Sequence, residues 1–219
     1  SFLIETEGKV LFFTNYKGMT SLIDGRARVQ TISGKFGVVS REGKLIADTV
    51  YSYIGPFEDG LAVVHGIDHQ DYDSDEKKKN LQVSVIDESG TKLFPYGKFE
   101  SIGDYSEGYF TASYPERKGG NLSVDVIINR KGEDVFSLPR DQESWIDGGV
   151  HNGIVKVSLP MKAKRNSSDY YDAYMTLSGK TIYADKQKPN GNDFHENFAF
   201  VGDGDHYWII NKQGQLITQ

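Results

Sequence analysis

The sequence predicts an all-β repeat protein, and three observations carry that prediction. Two short motifs each recur five times in a fixed order. Each motif sets a turn former between runs of alternating apolar residues. The composition supplies the matching materials: 24 Gly for turns, and 13 Tyr and 12 Phe among aromatics that favour strands.

The first motif is VVSREG, ending at Gly43. It returns as VIDESG to Gly90, IINRKG to Gly132, YMTLSG to Gly179 and IINKQG to Gly214. A small polar residue keeps its place in all five: Ser40, Asp87, Asn129, Thr176 and Asn211. Such a side chain bonds the backbone two residues on and nucleates a turn, and the glycine supplies the positive φ of a tight hairpin. The second motif is FEDGLAVV, residues 57–64. It returns as LIDGRARV (22–29), YSEGYFTA (105–112), VHNGIVKV (150–157) and FHENFAFV (194–201). The pairs Ala27/Val29, Ala62/Val64, Phe110/Ala112, Val155/Val157 and Ala199/Val201 alternate as strands with one buried face do.

The spacing between the first-motif glycines is 47 residues (43 to 90), 42 (90 to 132), 47 (132 to 179) and 35 (179 to 214). Units of that size with several strands suit propeller blades or a solenoid array. The expectation is a single β-repeat domain over 1–219, with units at about 34–66, 81–113, 122–158 and 170–202, and a fifth at 206–219 completed by 10–30. The most economical architecture is a five-bladed, propeller-like ring closed by its termini. Strands near 26–30 would then share a sheet with strands near 207–217, which removes exposed sheet edges. The alternative is an open β-solenoid.

The stretch Lys35-Phe36-Gly37-Val38-Val39-Ser40, followed by Phe57-Glu58-Asp59-Gly60-Leu61-Ala62-Val63-Val64, resembles the WG-repeat proteins of bacteria. The likeness extends over most of 19–219. The signature Trp-Gly pair is degenerate: Phe36-Gly37 stands nearest, and Val83-Ser84, Asp125-Val126, Asp172-Ala173 and Tyr207-Trp208 occupy the other copies. The resemblance implies a β-repeat architecture and an interaction role, and it brings no catalytic residues.

Net charge is −6, without a Lys/Arg stripe, which argues against a nucleic-acid partner. The chain has no Cys, so disulfides and thiolate chemistry are absent. No apolar run approaches the roughly 20 residues that span a bilayer, so no transmembrane segment is expected. The chain opens at Ser1-Phe2, as a trimmed sequence would, and an extracytoplasmic place is the expectation.

Asp71, Asp73 and Asp75 open like a calcium loop, but Glu76 stands where its turn Gly belongs and Gln82 where its closing Glu belongs. No metal is expected there. His65 and His69 have helical spacing on a strand end, where it does not bring the rings together. No nucleophile, phosphate-loop or dinucleotide motif is present, and no cofactor is expected. The remaining lead is aromatic: Tyr170, Tyr171, Tyr174 and Trp208 are the candidate contact residues. The functional expectation is a non-catalytic module binding a protein, peptide or glycan through its loops. The alternative is a propeller-type hydrolase acting on carbohydrate, marked by acidic and aromatic side chains converging at one opening.

Overall fold

A computed structural model describes residues 2–4, 10–13, 15–66, 82–115, 124–138, 143–161 and 169–217, the first two stretches as backbone only. The described chain is all β and contains no helix. Its secondary structure is a succession of antiparallel meanders. A hairpin of β1 (Phe2–Ile4) and β2 (Val10–Phe13) comes first. The first sheet then runs β3 (Gly18–Met19), β4 (Arg26–Gln30), β5 (Phe36–Ser40), β6 (Leu45–Tyr51). The second holds β7 (Tyr53–Ile54), β8 (Leu61–His65) and β9 (Val83–Asp87). The third is β10 (Ser101–Ser106), β11 (Tyr109–Tyr114), β12 (Val124–Asn129), β13 (Asp134–Ser137). The fourth is β14 (Trp145–His151), β15 (Ile154–Pro160), β16 (Tyr170–Thr176), β17 (Thr181–Ala184). The fifth is β18 (Asn190–Gly191), β19 (Phe198–Gly202), β20 (Tyr207–Asn211). The chain divides into two compact units, 1–100 and 101–219, with the boundary between the second and third sheets.

Both motifs are turns, as their residues require. The second motif joins the first two strands of every sheet. Asp24-Gly25, Asp59-Gly60, Glu107-Gly108 and Asn152-Gly153 hold two successive positive φ angles, from 46° to 57° on the first residue and from 73° to 93° on the glycine. That is the type I′ geometry whose twist matches the flanking strands. The first motif follows the third strand. Asp87 Oδ1 accepts the N–H of Ser89 (2.9 Å) and Thr91 (3.0 Å), and Asn211 Oδ1 accepts those of Gln213 (3.0 Å) and Gln215 (2.9 Å). The glycine that closes this turn has a further duty at two places. A Cβ on Gly90 would strike the Ile46 carbonyl in β6, and one on Gly214 would strike the Ile182 carbonyl in β17.

Alternation along each strand buries both faces where sheets stack. Within residues 1–100, Val38, Ala47 and Tyr51 of the first sheet pack with Ile54, Ala62, Val64 and Ile86 of the second. Within 101–219, Ile127 and Phe136 of the third sheet meet Val155, Val157 and Ala173 of the fourth. The other face of the fourth offers Ile154 and Tyr174 to Ala199, Val201 and Ile210 of the fifth.

The shared closing sheet is not formed among the described residues. No sheet among the described residues contains both Arg26–Gln30 and Tyr207–Asn211. The reason lies in their edges. β4 is hydrogen-bonded on both sides, to β3 and β5. The outer edge of β20 is taken by its own returning chain: Leu216 bridges Ile210, and the Ile217 N–H donates to the Ile209 carbonyl at 2.9 Å. The apparent orphans at the two chain ends are therefore not orphans. The turn at Asp24-Gly25 completes a sheet with the turn at Gly43, and Phe198–Gly202 completes one with the turn at Gly214.

Candidate binding surface

Strand alternation sorts the candidate aromatics of β16. Tyr171, Ala173 and Met175 face the core shared with the third sheet, where Tyr171 is partly buried and Lys186 Nζ lies 5.3 Å from its ring. Tyr170, Asp172 and Tyr174 face the other way. Tyr174 is a correction to the sequence expectation, because it is 0% exposed and offers nothing to a ligand. The fifth sheet covers it. Its hydroxyl donates to the Asn192 carbonyl at 2.7 Å, and its ring meets Phe194 edge-on at 5.4 Å. Burial, reinforced by Asp172 and Asp193, holds this phenol far above its ordinary pKa.

Tyr170 lies four residues earlier, opposite Pro160, and stays half-exposed. Its ring packs on Trp145, with centroids 4.4 Å apart and planes at 58°. Its hydroxyl donates to Glu143 Oε2 at 3.4 Å. Desolvation, followed by the Glu143 charge, raises its pKa. Trp145 is 40% exposed and was missed by the sequence reading. The signal was available: Trp is rarely left in solvent without a role, and Trp145 opens the strand paired to the residues that precede the Tyr run. Trp208 stands apart on the fifth sheet, half-buried against the core, with Lys188 Nζ 4.7 Å above its ring and the His206 ring 6.1 Å away.

Three carboxylates of the fourth and fifth sheets, Asp147, Asp172 and Asp193, gather around Lys156. Lys156 on β15 lies 2.9 Å from Asp147 and 4.0 Å from Asp193, and donates to the Gly191 carbonyl at 3.1 Å. Burial opposes its charge, but the Asp147 hydrogen bond and the charges of Asp193, Asp147 and Asp172 outweigh that and raise its pKa. Asp172 accepts from the Ser158 hydroxyl (3.0 Å) and the Gly191 N–H (2.8 Å). Asp125, one sheet earlier, accepts the Ile146 N–H at 3.0 Å in the same way. These groups fasten the first strand of one sheet to the sheet before it.

His65 is not half of a metal pair with described residues: it closes β8 and stacks edge-on against Tyr53 at 5.2 Å. Asp71, Asp73, Asp75 and His69 lie outside the described residues. Among the described residues no group of three or more His, Asp or Glu could hold a metal, and no helix is long and apolar enough to cross a membrane.

The family model described as WG containing repeat matches residues 36–64 and 84–113. Those two stretches carry WG-type β-repeats. No curated protein sequence matches it. Among solved structures, this chain is similar to the computationally designed Ika8 protein (14% identity, TM-score 0.49, covering 97% of this chain and 65% of that one). It is also similar to AztD from Citrobacter koseri (14%, 0.37, 93% and 57%) and to prolyl oligopeptidase B from Galerina marginata (11%, 0.42, 87% and 30%). The chain thus spans less than two thirds of each of these structures.

Both matched WG repeats are out of phase with the sheets. Residues 36–64 begin in the third strand of the first sheet and end in the second strand of the second. Residues 84–113 begin in β9 and end in β11.

Proposed function

We propose that this chain is a non-catalytic recognition module that binds a protein or peptide segment, with the Trp145–Tyr170 pair as its principal contact. The observation that carries the reading is that pair: two large aromatics packed against each other at one end of the fourth sheet, Trp145 40% exposed and Tyr170 half-exposed. Aromatics held rigidly in a half-buried setting are the residues that dominate binding energy. The 58° tilt makes a notch rather than a flat shelf, which suits an apolar side chain better than the face of a sugar ring. Against the hydrolase alternative stands the use of Asp147, Asp172 and Asp193, which neutralise Lys156 and anchor backbone instead of facing each other across an open cleft.

The test pairs affinity with stability. A partner recovered by crosslinking is titrated against purified wild type, Trp145→Ala and Tyr170→Ala. A true contact loses about 2 kcal/mol or more of binding while the unfolding midpoint stays put. Unchanged affinity in both variants overturns the site. Turnover of a polysaccharide or peptide, abolished by a single Asp or Glu substitution, overturns the non-catalytic reading.

A further inference from the structure

The repeat allows one sheet to serve as the control for another. Lys156 on β15 pairs across the fourth sheet with Tyr174, and Arg28 on β4 pairs across the first with Val38; both stand three residues after the glycine of the same turn. Both reach the first strand of the following sheet in the same manner. Lys156 Nζ donates to the Gly191 carbonyl at 3.1 Å, and Arg28 Nη1 donates to the Ile54 carbonyl at 2.6 Å. Gly191 and Ile54 are themselves equivalent, pairing with Val201 and Val64.

The neighbours of the two cations differ in one respect. Around Lys156 stand three carboxylates: Asp147 opposite it on β14, Asp193 two residues after Gly191, and Asp172 two before Tyr174. At the matching places around Arg28 the sequence has Thr20 and Ser21, Pro56 and Phe36. All three acids are gone and the cation is kept. The space is open: a shallow cleft of about 50 Å³ is lined by Thr20, Ser21, Arg26, Arg28, Pro56 and Phe57, among others, and no carboxylate lines it. Arg26 is engaged with Glu88 at 3.0 Å and sits 5.6 Å over the Phe57 ring, so its charge is offset from outside the cleft. Ile23, 60% exposed, adds an apolar rim.

A half-buried guanidinium retains donors beyond the one given to Ile54, and their planar fork matches a carboxylate. The cleft has room for several water-sized groups, which suits a carboxylate head. We propose that the cleft at Arg28 binds a carboxylate from outside the chain, in the place that Asp147 and Asp193 hold around Lys156. The ligand is an acidic side chain or a chain-terminal carboxylate. The site lies between the first and second sheets and stands independently of the Trp145–Tyr170 reading.

The experiment follows the Arg28 Nε–Hε resonance by NMR at constant ionic strength. The probes are sodium acetate, N-acetylglutamate amide, and N-acetyldiglycine, with acetamide and sodium chloride as controls. The expected result is a saturable shift with the carboxylates and none with the controls. Pro56→Asp, which copies Asp193, should weaken the carboxylate response by roughly tenfold or more, since it supplies the missing acid internally. Ser21→Asp repeats the test from the opposite wall should Pro56→Asp disturb folding. The tighter of the two amino-acid probes tells a side chain from a chain end. A shift that fails to saturate, an equal shift with chloride, or an undiminished response in a folded Pro56→Asp or Ser21→Asp variant overturns the proposal.

Discussion

Replacing Tyr174 with Phe removes one oxygen and tests whether this ring is core or contact. The ring is fully buried, and its hydroxyl donates to the Asn192 carbonyl at 2.7 Å. Phe keeps the edge-on contact with Phe194 and leaves that carbonyl without its donor. Asn192 is exposed, so water can take the donor's place, and the loss is the net worth of one hydrogen bond, about 0.5–1.5 kcal/mol, with the aromatic packing conserved. For a chain of this size each kcal/mol lowers the midpoint by about 2–4 °C, which gives a fall of about 1–6 °C. Tyr174→Ala adds the lost ring and its cavity, for about 3–5 kcal/mol in all. Tyr170→Ala, on the same strand face but half-exposed, should cost under about 1 kcal/mol. Urea unfolding followed by far-UV circular dichroism measures all three. Equal losses for Tyr170→Ala and Tyr174→Ala, or a Tyr174→Phe variant as stable as wild type, would refute the assignment of one tyrosine to the core and the other to the surface.

Lys156→Met should destabilise by about 1–3 kcal/mol, a figure discounted because Asp147 and Asp193 are partly exposed; an unchanged midpoint would show the cluster to be idle. Asp125 is half-buried against the Ile146 N–H, and desolvation raises its folded pKa, opposed by that hydrogen bond. The folded state therefore binds its proton more readily, and stability from this group grows as pH falls through the window just above the usual aspartate range. Asp125→Asn keeps an acceptor for Ile146, so it should be at least as stable as wild type at pH 7 and should lose that part of the pH dependence; parallel pH profiles would contradict this. Gly214→Ala sets a methyl group against the Ile182 carbonyl at a φ of 75°, and a loss of at least about 1 kcal/mol is expected in thermal melts.

The turns were legible because their causes are local. Ser40, Asp87, Asn129, Thr176 and Asn211 each bond backbone within four residues, so the bond partners lie inside the motif itself. The sheets were less so. The sequence reading cut the chain between motifs, while the strands pair across that cut, so the two end segments looked incomplete and invited a ring seam. Alternation along a strand puts Tyr170 and Tyr174 on one face. It could not tell that the fifth sheet covers the second of them and stops short of the first. The acids around Lys156 come from β14, β16 and the segment after β18, so their absence around Arg28 shows only once the strands are aligned by their pairing.

The half-step offset between repeat and sheet bears on how such an array can change length. A deletion joining any two matching turns, such as Gly43 to Gly90 or Gly25 to Gly60, splices the leading strands of one sheet to the trailing strands of the next. What is left is one whole hybrid sheet, with no half-sheet exposed at the junction. A duplication between the same points inserts one whole sheet by the same logic. Gain and loss of units therefore need no recombination point at a sheet boundary, because every hairpin is already a usable junction.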